Sequence, residues 1–314
     1  MKPTLLAITD MKGWAFENIA RALAGALSER VTIRAVDYVS LAKQPAGVIR
    51  ALAGEADAVY CFSCVMPDAV YDLLSAAPMV AGIHSECSME HKAGLFVPER
   101  FTRFCAVGCV NERIAERARG LGLHERILVT SNGVDEREFC PPAEERRGPI
   151  CAGWAGAAKR AEGDVKRFES IVAPACQKAN VNLKAVVREV NYLPPHLMPG
   201  YYKGVDVYLC ASTTEGSQGP LVEAGASGCG LISTRVGIAE ELIEEGVNGF
   251  LVEGSVEAFA ERLAWCRAHP EATREMGLRA RESVVRNWTW SRRATGYWDL
   301  FACALATRQG RRAA

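Results

Sequence analysis

Two glutamates on either side of a short polar run are the first residues whose types and spacing suggest chemistry. Glu215 and Glu223, with seven residues between them, flank Gly216-Ser217-Gln218-Gly219-Pro220-Leu221-Val222, and the run follows an apolar stretch at 205–211. The apolar stretch reads as a buried strand, and Pro220 sits where the first turn of a helix tolerates a missing N–H. Gly216 and Gly219 let backbone N–H groups approach a ligand closely, and the open amides of a helix start favour an anion. Such a turn can hold phosphate or sugar oxygens without a metal, while the two carboxylates accept hydrogen bonds from hydroxyls. A ligand that uses all of these groups carries hydroxyls and phosphate together, as a nucleotide sugar does.

The elements that must position this turn follow an α/β rhythm. Short apolar runs at 5–8, 31–36, 58–61, 79–83, 104–107 and 127–129 read as strands in the first half, and those at 150–152, 183–187, 205–210, 231–233 and 250–252 in the second. Helical patterns separate them; over 14–27, Phe16, Ile19, Ala20, Leu23 and Leu27 recur at helical spacing. Strands alternating with helices predict parallel sheets, so the fold class is α/β with two Rossmann-like domains. Prolines, charges and a glycine over 140–149 replace the apolar periodicity and predict a linker. The expected domains are 1–147, 148–287 and a C-terminal helical segment, 288–314, returning across them. That last segment places Trp290, Ala294, Tyr297, Trp298, Phe301 and Leu305 on one face. It holds six arginines and one aspartate over 286–314, which suggests either a packed helix or a basic aromatic face touching an anionic membrane.

Composition removes several classes. The 314 residues carry 37 Lys and Arg against 37 Asp and Glu, so the basic field of a nucleic-acid binder is missing. Hydrophobic residues at 49% and charged ones at 24% describe a globular chain, with no run long enough to span a membrane. Residues 1–10 read as a first strand and not as a secretory leader. The 12 cysteines are scattered through apolar runs, which predicts buried free thiols and a cytoplasmic location. Cys61-Phe62-Ser63-Cys64 has the spacing of a redox or zinc motif but no matching second pair. The absence of a Gly-x-Gly-x-x-Gly after any strand argues against a nicotinamide dehydrogenase.

Taken with its neighbours, the Glu215–Glu223 spacing resembles the E-x7-E signature of GT-B glycosyltransferases, particularly the retaining glycosyltransferase family 4. Upstream, Asn132-Gly133-Val134-Asp135 with Phe139 and Pro141 resembles that family's turn before its linker. Downstream, 233–242 and Asn248-Gly249-Phe250-Leu251-Val252 resemble its next two elements. The resemblance implies two Rossmann-like domains facing a central cleft and a hexosyltransferase that draws on a nucleoside diphosphate sugar. It places the donor in the C-terminal domain, with Glu223 on the ribose hydroxyls, Glu215 near the transferred sugar, and Gly216, Ser217, Gln218, Gly219, Pro220 and Leu221 around sugar or phosphate oxygens. It also implies Gly13 in a loop near donor phosphate, and a cleft-facing histidine for which His84 is the candidate. His91 and Lys92 are lesser candidates for an acceptor phosphate.

One departure stands out. The family's usual diphosphate cations would fall at Ala157 and Glu162 in the loop 153–164, and neither is basic. Lys159 and Arg160 are the nearest substitutes, with Lys166 beyond them. No Asp-x-Asp metal motif occurs, so no metal or other cofactor is expected. The acceptor is left open among a glycan, a lipid-linked saccharide, a protein and a small metabolite, without nucleic acid and with peripheral membrane contact as an option. The alternative readings are a sugar-nucleotide epimerase or phosphorylase on the same fold, or a non-catalytic sugar-nucleotide binding protein.

Overall fold

The computed structural model describes residues 2–13, 15–64, 66–89, 97–158 and 163–313. Two compact units divide the chain: 1–132 together with 290–314, and 133–289.

The first unit holds β1 (Thr4–Thr9), β2 (Thr32–Asp37), β3 (Ala58–Cys61), β4 (Met79–Ile83), β5 (Val107–Cys109) and β6 (Ile127–Val129). They form one sheet in the order β2-β1-β3-β4-β5-β6, with every neighbouring pair parallel. Both faces are buried, as crossover helices require. Leu6 and Ile8 of β1 join Val59 and Cys61 of β3 in one apolar layer, while Leu5 and Ala7 join Ala58 and Tyr60 in the other. The fifth strand lies three residues later than the sequence predicts. Phe104 to Val110 is apolar throughout, so periodicity leaves its ends open, and pairing decides: Val107 lies beside both Ala81 and Ile127.

The second unit holds β7 (Cys151–Gly156), β8 (Asn182–Val187), β9 (Val207–Cys210), β10 (Gly230–Ser233) and β11 (Gly249–Leu251). Its sheet is also parallel, in the order β11-β10-β9-β7-β8. The expected loop at 153–164 begins later, because Gly153-Trp154-Ala155-Gly156 is strand. Gly153 is small for a packing reason: a Cβ there would lie 2.6 Å from the Val205 side chain and 2.9 Å from the Tyr201 hydroxyl.

The units also divide elsewhere than at the expected linker. Residues 133–149 belong with the second unit, tied there by two arginines. Arg146 donates to the carbonyls of Ser227 and Gly228, each at 2.8 Å, and Arg281 donates to that of Glu136 at 2.8 Å. Trp288 is likewise buried in the second core, and Val134 N–H donates to its carbonyl at 2.9 Å. The last helix, Trp290–Ala313, belongs with the first unit. Its Ala294, Tyr297, Leu300, Phe301 and Ala304 are buried beside Leu5, Ala7, Tyr60 and Phe62. The aromatic face that could have met a membrane is therefore largely core. Among the described residues no helix is long and apolar enough to cross a membrane.

In each sheet the strand order reverses beside its first strand. Chain crossovers leave in opposite directions from that point, which opens a crevice at the carboxyl ends of the strands where α/β proteins bind ligands. In the first unit the crevice lies beyond β1 and β3, and in the second beyond β7 and β9.

Candidate active site

In the second unit, the turn after β9 carries the two glutamates. Glu215 accepts a hydrogen bond from Ser212 Oγ at 2.7 Å and forms an ion pair with Lys166, both groups being mostly shielded from water. Lys166 reaches it from the segment that follows β7, so the carboxylate and ammonium bridge the two loops at the reversal point. Together with Ser212, Gln218, Pro220 and Leu221 they line one small pocket.

Gln218 initiates the helix Gly219–Ala226 from a left-handed backbone, φ 41°. Its buried side chain turns inward: Nε2 donates to Ser233 Oγ at 3.4 Å, and Oε1 accepts from the Ile238 N–H at 3.1 Å. Only its backbone remains to face a ligand, which narrows the role expected of it. Gly237 completes the turn. A Cβ there would lie 2.6 Å from the Gly216 carbonyl and 2.9 Å from Glu215 Cβ, so the loop after β10 presses directly on the glutamate turn.

Glu223 lies one turn into the helix, half-buried, and accepts from the Tyr202 hydroxyl at 2.8 Å. Burial raises its pKa to about 7 despite that hydrogen bond, which opposes the rise. A carboxylate poised near neutrality, with one lone-pair set held by a tyrosine, retains acceptor capacity for a second hydroxyl-bearing group.

In the first unit, His84 follows β4. Its ring stacks near Phe62, with centroids 5.5 Å apart, and tilts against Phe16 at 4.8 Å. Nε2 lies 3.0 Å from the Tyr60 hydroxyl, and Nδ1 is buried with no hydrogen-bond partner among the described residues. Burial pushes the imidazole pKa down to about 4, so the ring is neutral at pH 7. Asp10, just after β1, has one buried carboxylate oxygen, Oδ1, that likewise has no such partner. Gly13 takes a left-handed conformation, φ 78°, and its N–H donates to the Glu17 carboxylate, which shapes the turn into the first helix.

Residues 162–268, which contain Lys166, Glu215 and Glu223, match the family model described as Glycosyl transferases group 1. The chain aligns over 96% of its length with HepE of Anabaena in complex with UDP-glucose, at 15% identity and TM-score 0.76, covering 99% of that chain. It aligns over 98% with sucrose-phosphate synthase of Thermosynechococcus elongatus, at 13% identity and TM-score 0.74, covering all of that chain. The fold is GT-B. Curated relatives match shorter stretches. A D-inositol 3-phosphate glycosyltransferase of Corynebacterium glutamicum is 31% identical over 213 residues, 62% of this chain and 48% of the relative. Trehalose synthase of Pyrococcus horikoshii is 33% identical over 124 residues, 39% of this chain and 28% of the relative. The chain thus spans half or less of the length of these two curated relatives.

On this GT-B fold the second unit brings Glu215, Gly216, Ser217, Gln218, Gly219, Pro220, Leu221 and Glu223 to one turn, and the first unit places Gly13 and His84 at the ends of β1 and β4. Lys159, Arg160, His91 and Lys92 lie outside the described residues. Among the described residues, no three His, Cys, Asp or Glu side chains converge as metal ligands. Sequence reading missed Tyr60, Tyr202 and Gly237. The tyrosines sit in apolar stretches where they look like core, and only their hydroxyl partners distinguish them. Gly237 carried a legible signal, a glycine inside the 233–242 stretch, but its neighbour across the loop is invisible in the chain.

Proposed function

We propose that the protein is a retaining glycosyltransferase that moves a sugar from a nucleoside diphosphate sugar to an acceptor hydroxyl, without a metal ion. The observation that carries this reading is the pairing of Glu215 and Glu223 about one glycine-containing helix start, inside the segment that matches group 1 glycosyl transferases. Glu223 takes the ribose hydroxyls on the oxygen surface that Tyr202 leaves free. Glu215 orients the transferred sugar, and the backbone of Gly216, Ser217, Gln218 and Gly219, with Pro220 and Leu221 behind it, cradles sugar and phosphate oxygens.

Negative charge grows on the diphosphate as the glycosidic bond breaks, and a cation must meet it. Lys159 or Arg160 supplies it, with Lys166 as the third candidate because it already stands beside Glu215. We assign Gly13 to the donor phosphate and His84 to the sugar, the roles that the family resemblance implies for them. In the retaining reaction the acceptor hydroxyl enters on the leaving-group side and the departing phosphate oxygen takes its proton, so no side-chain nucleophile is needed. The acceptor is a saccharide or another hydroxyl-bearing molecule. UDP-glucose in the HepE complex makes it the first donor to try.

The test is a thermal-shift series with uridine, guanosine and adenosine diphosphate sugars, since a ligand that binds only the folded state raises the melting temperature. One sugar nucleotide should stand out, and it should then support transfer in the presence of EDTA. No shift with any of them would overturn the reading. Activity lost to EDTA and restored by Mg²⁺ would overturn its metal independence.

A further inference from the structure

We propose that Tyr202 is a positioning residue for Glu223: its hydroxyl holds Oε2 of the carboxylate and leaves Oε1 as the acceptor for hydroxyls of a bound nucleotide. Tyr202 ends the short helix Met198–Tyr202, and Glu223 stands on the helix Gly219–Ala226. The tyrosine is fully buried, and its hydroxyl donates to Oε2 at 2.8 Å, its one hydrogen-bond partner among the described residues. Neither tyrosine packed on it competes. The Tyr201 hydroxyl is shared between the carbonyls of Trp154 and Lys184, each at 3.0 Å, and the Tyr208 hydroxyl donates to that of Ala155 at 3.1 Å. A buried phenol with one acceptor donates to it or leaves its own hydrogen unmatched, so the contact favours the ionised carboxylate. Glu223 itself is half-buried, and Oε1 has no hydrogen-bond partner among the described residues.

Packing fixes the tyrosine. The ring centroids of Tyr201, Phe139 and Tyr208 lie 4.9, 5.9 and 5.9 Å from its own, and Arg146 donates to its carbonyl at 3.3 Å. The hydroxyl therefore reaches Glu223 from a set place. Glu223 has no ion pair among the described residues, and the charged groups of the elements around its helix are spent elsewhere. Arg281 of the helix Pro270–Asn287 donates to the carbonyls of Ala226 and Glu136, and Arg274 of the same helix pairs with Asp206. Arg146 donates to the carbonyls of Ser227 and Gly228, the Cys229 thiol to that of Val205, and Lys166 pairs with Glu215. Tyr202 is thus the group that counters the cost of burying this carboxyl, whose pKa stands at about 7. That the hydroxyls awaited by Oε1 belong to a ribose rests on the glycosyltransferase reading above.

The experiment titrates the full chain, labelled with ¹³Cδ glutamate and ¹³Cζ tyrosine, from about pH 5 to about pH 9. The Glu223 signal is assigned by its loss in Glu223→Gln, and its expected midpoint in the parent is about 7. Tyr202→Phe keeps the ring and removes the hydroxyl, so the midpoint should rise by about 1–2 pH units. Tyr201→Phe removes a hydroxyl that Glu223 does not share and should leave the midpoint at the parent value. In the parent itself one tyrosine Cζ signal should follow the Glu223 titration, and that response should vanish in Glu223→Gln. A midpoint unchanged or lowered in Tyr202→Phe would overturn the proposal, as would the lack of any tyrosine signal that follows Glu223. Calorimetry with UDP reads the second half of the proposal. Affinity in Tyr202→Phe should fall about fivefold or more at pH 7 and recover in large part near pH 9. An equal loss at both pH values is what damaged packing alone would give, and it would overturn the proposal. If UDP binding to the parent is indifferent to Glu223→Gln while the carboxyl titrates as stated, the ribose reading of Glu223 fails and the hold by Tyr202 stands.

Discussion

Glu223 combines a structural cost with the binding role proposed for it. Its folded pKa, about 7, lies above the ordinary value of 4.5. Its ionisation therefore opposes folding: its contribution is most favourable below about pH 4.5 and is lost as pH rises to about 7, beyond which the penalty is constant. Hydroxyls that hydrogen-bond to the carboxylate favour the ionised form, so nucleotide affinity should rise between pH 6 and 8. Calorimetric titration of the nucleotide across that range checks this, and Glu223→Gln should flatten the profile. Glu223→Ala should weaken binding about tenfold or more, since a hydrogen bond to a charged group contributes about 1.5–3 kcal/mol. Equal affinity in mutant and parent would remove Glu223 from the ribose. The cation is separable by the same logic. Removing Lys159 and Arg160 together, or Lys166 alone, should cost about 2–4 kcal/mol of barrier if the group meets the leaving diphosphate. A solvated cation would cost about 0–1 kcal/mol. Turnover within about threefold of the parent in all three substitutions would exclude them.

At the scale of elements, the glutamate turn is held from behind by its neighbours, and the loop after β10 is the tightest of them. Gly237 has φ 55° and would place a Cβ 2.6 Å from the Gly216 carbonyl, whereas Gly246 has φ 74° with open space around it. Alanine at either position pays left-handed backbone strain of about 1–2 kcal/mol. Only Gly237→Ala also displaces the turn that carries Glu215. Nucleotide affinity should therefore fall in Gly237→Ala and stay at the parent value in Gly246→Ala at comparable loss of melting temperature; equal affinities would show that the loop does not position the site. The same elements explain what the chain made legible. Strands β1, β3, β4 and β9 could be read because short apolar runs ended at turn residues, and the E-x7-E turn because its chemistry is local. What was hidden depends on distant pairs. The start of β5 is set by pairing with Ala81, Gly153 is set by Tyr201 and Val205, and the inward turn of Gln218 is set by Ser233 and Ile238. No periodicity encodes those partners.

At the scale of the whole chain, the two units are built differently. The second is continuous from 133 to 289, while the first needs 290–314 to close one of its two apolar layers. Tyr297, Leu300 and Phe301 are fully buried there beside Leu5 and Tyr60, so the last helix is part of the first core. Phe301→Ala should cost about 3–5 kcal/mol, the range for removing a buried aromatic ring, and the cost should fall on the first unit. With two units, unfolding need not be a single transition, and a nucleotide bound to the second unit separates them by raising its midpoint selectively. The expected result is a Phe301→Ala protein whose nucleotide-sensitive transition is unchanged and whose other transition moves down. Deleting 290–314 carries the argument further. It uncovers the face of the sheet that bears Leu5, Ala7 and Tyr60, so the first unit should lose protection in amide hydrogen exchange along β1 and β3, while β7 and β9 keep theirs. Residues 133–289 expressed alone should retain cooperative unfolding and nucleotide binding, because among the described residues their apolar layers are drawn from within that range. If the deletion left β1 and β3 as protected as in the full chain, the helix would be a covering of the first unit and not a part of its core.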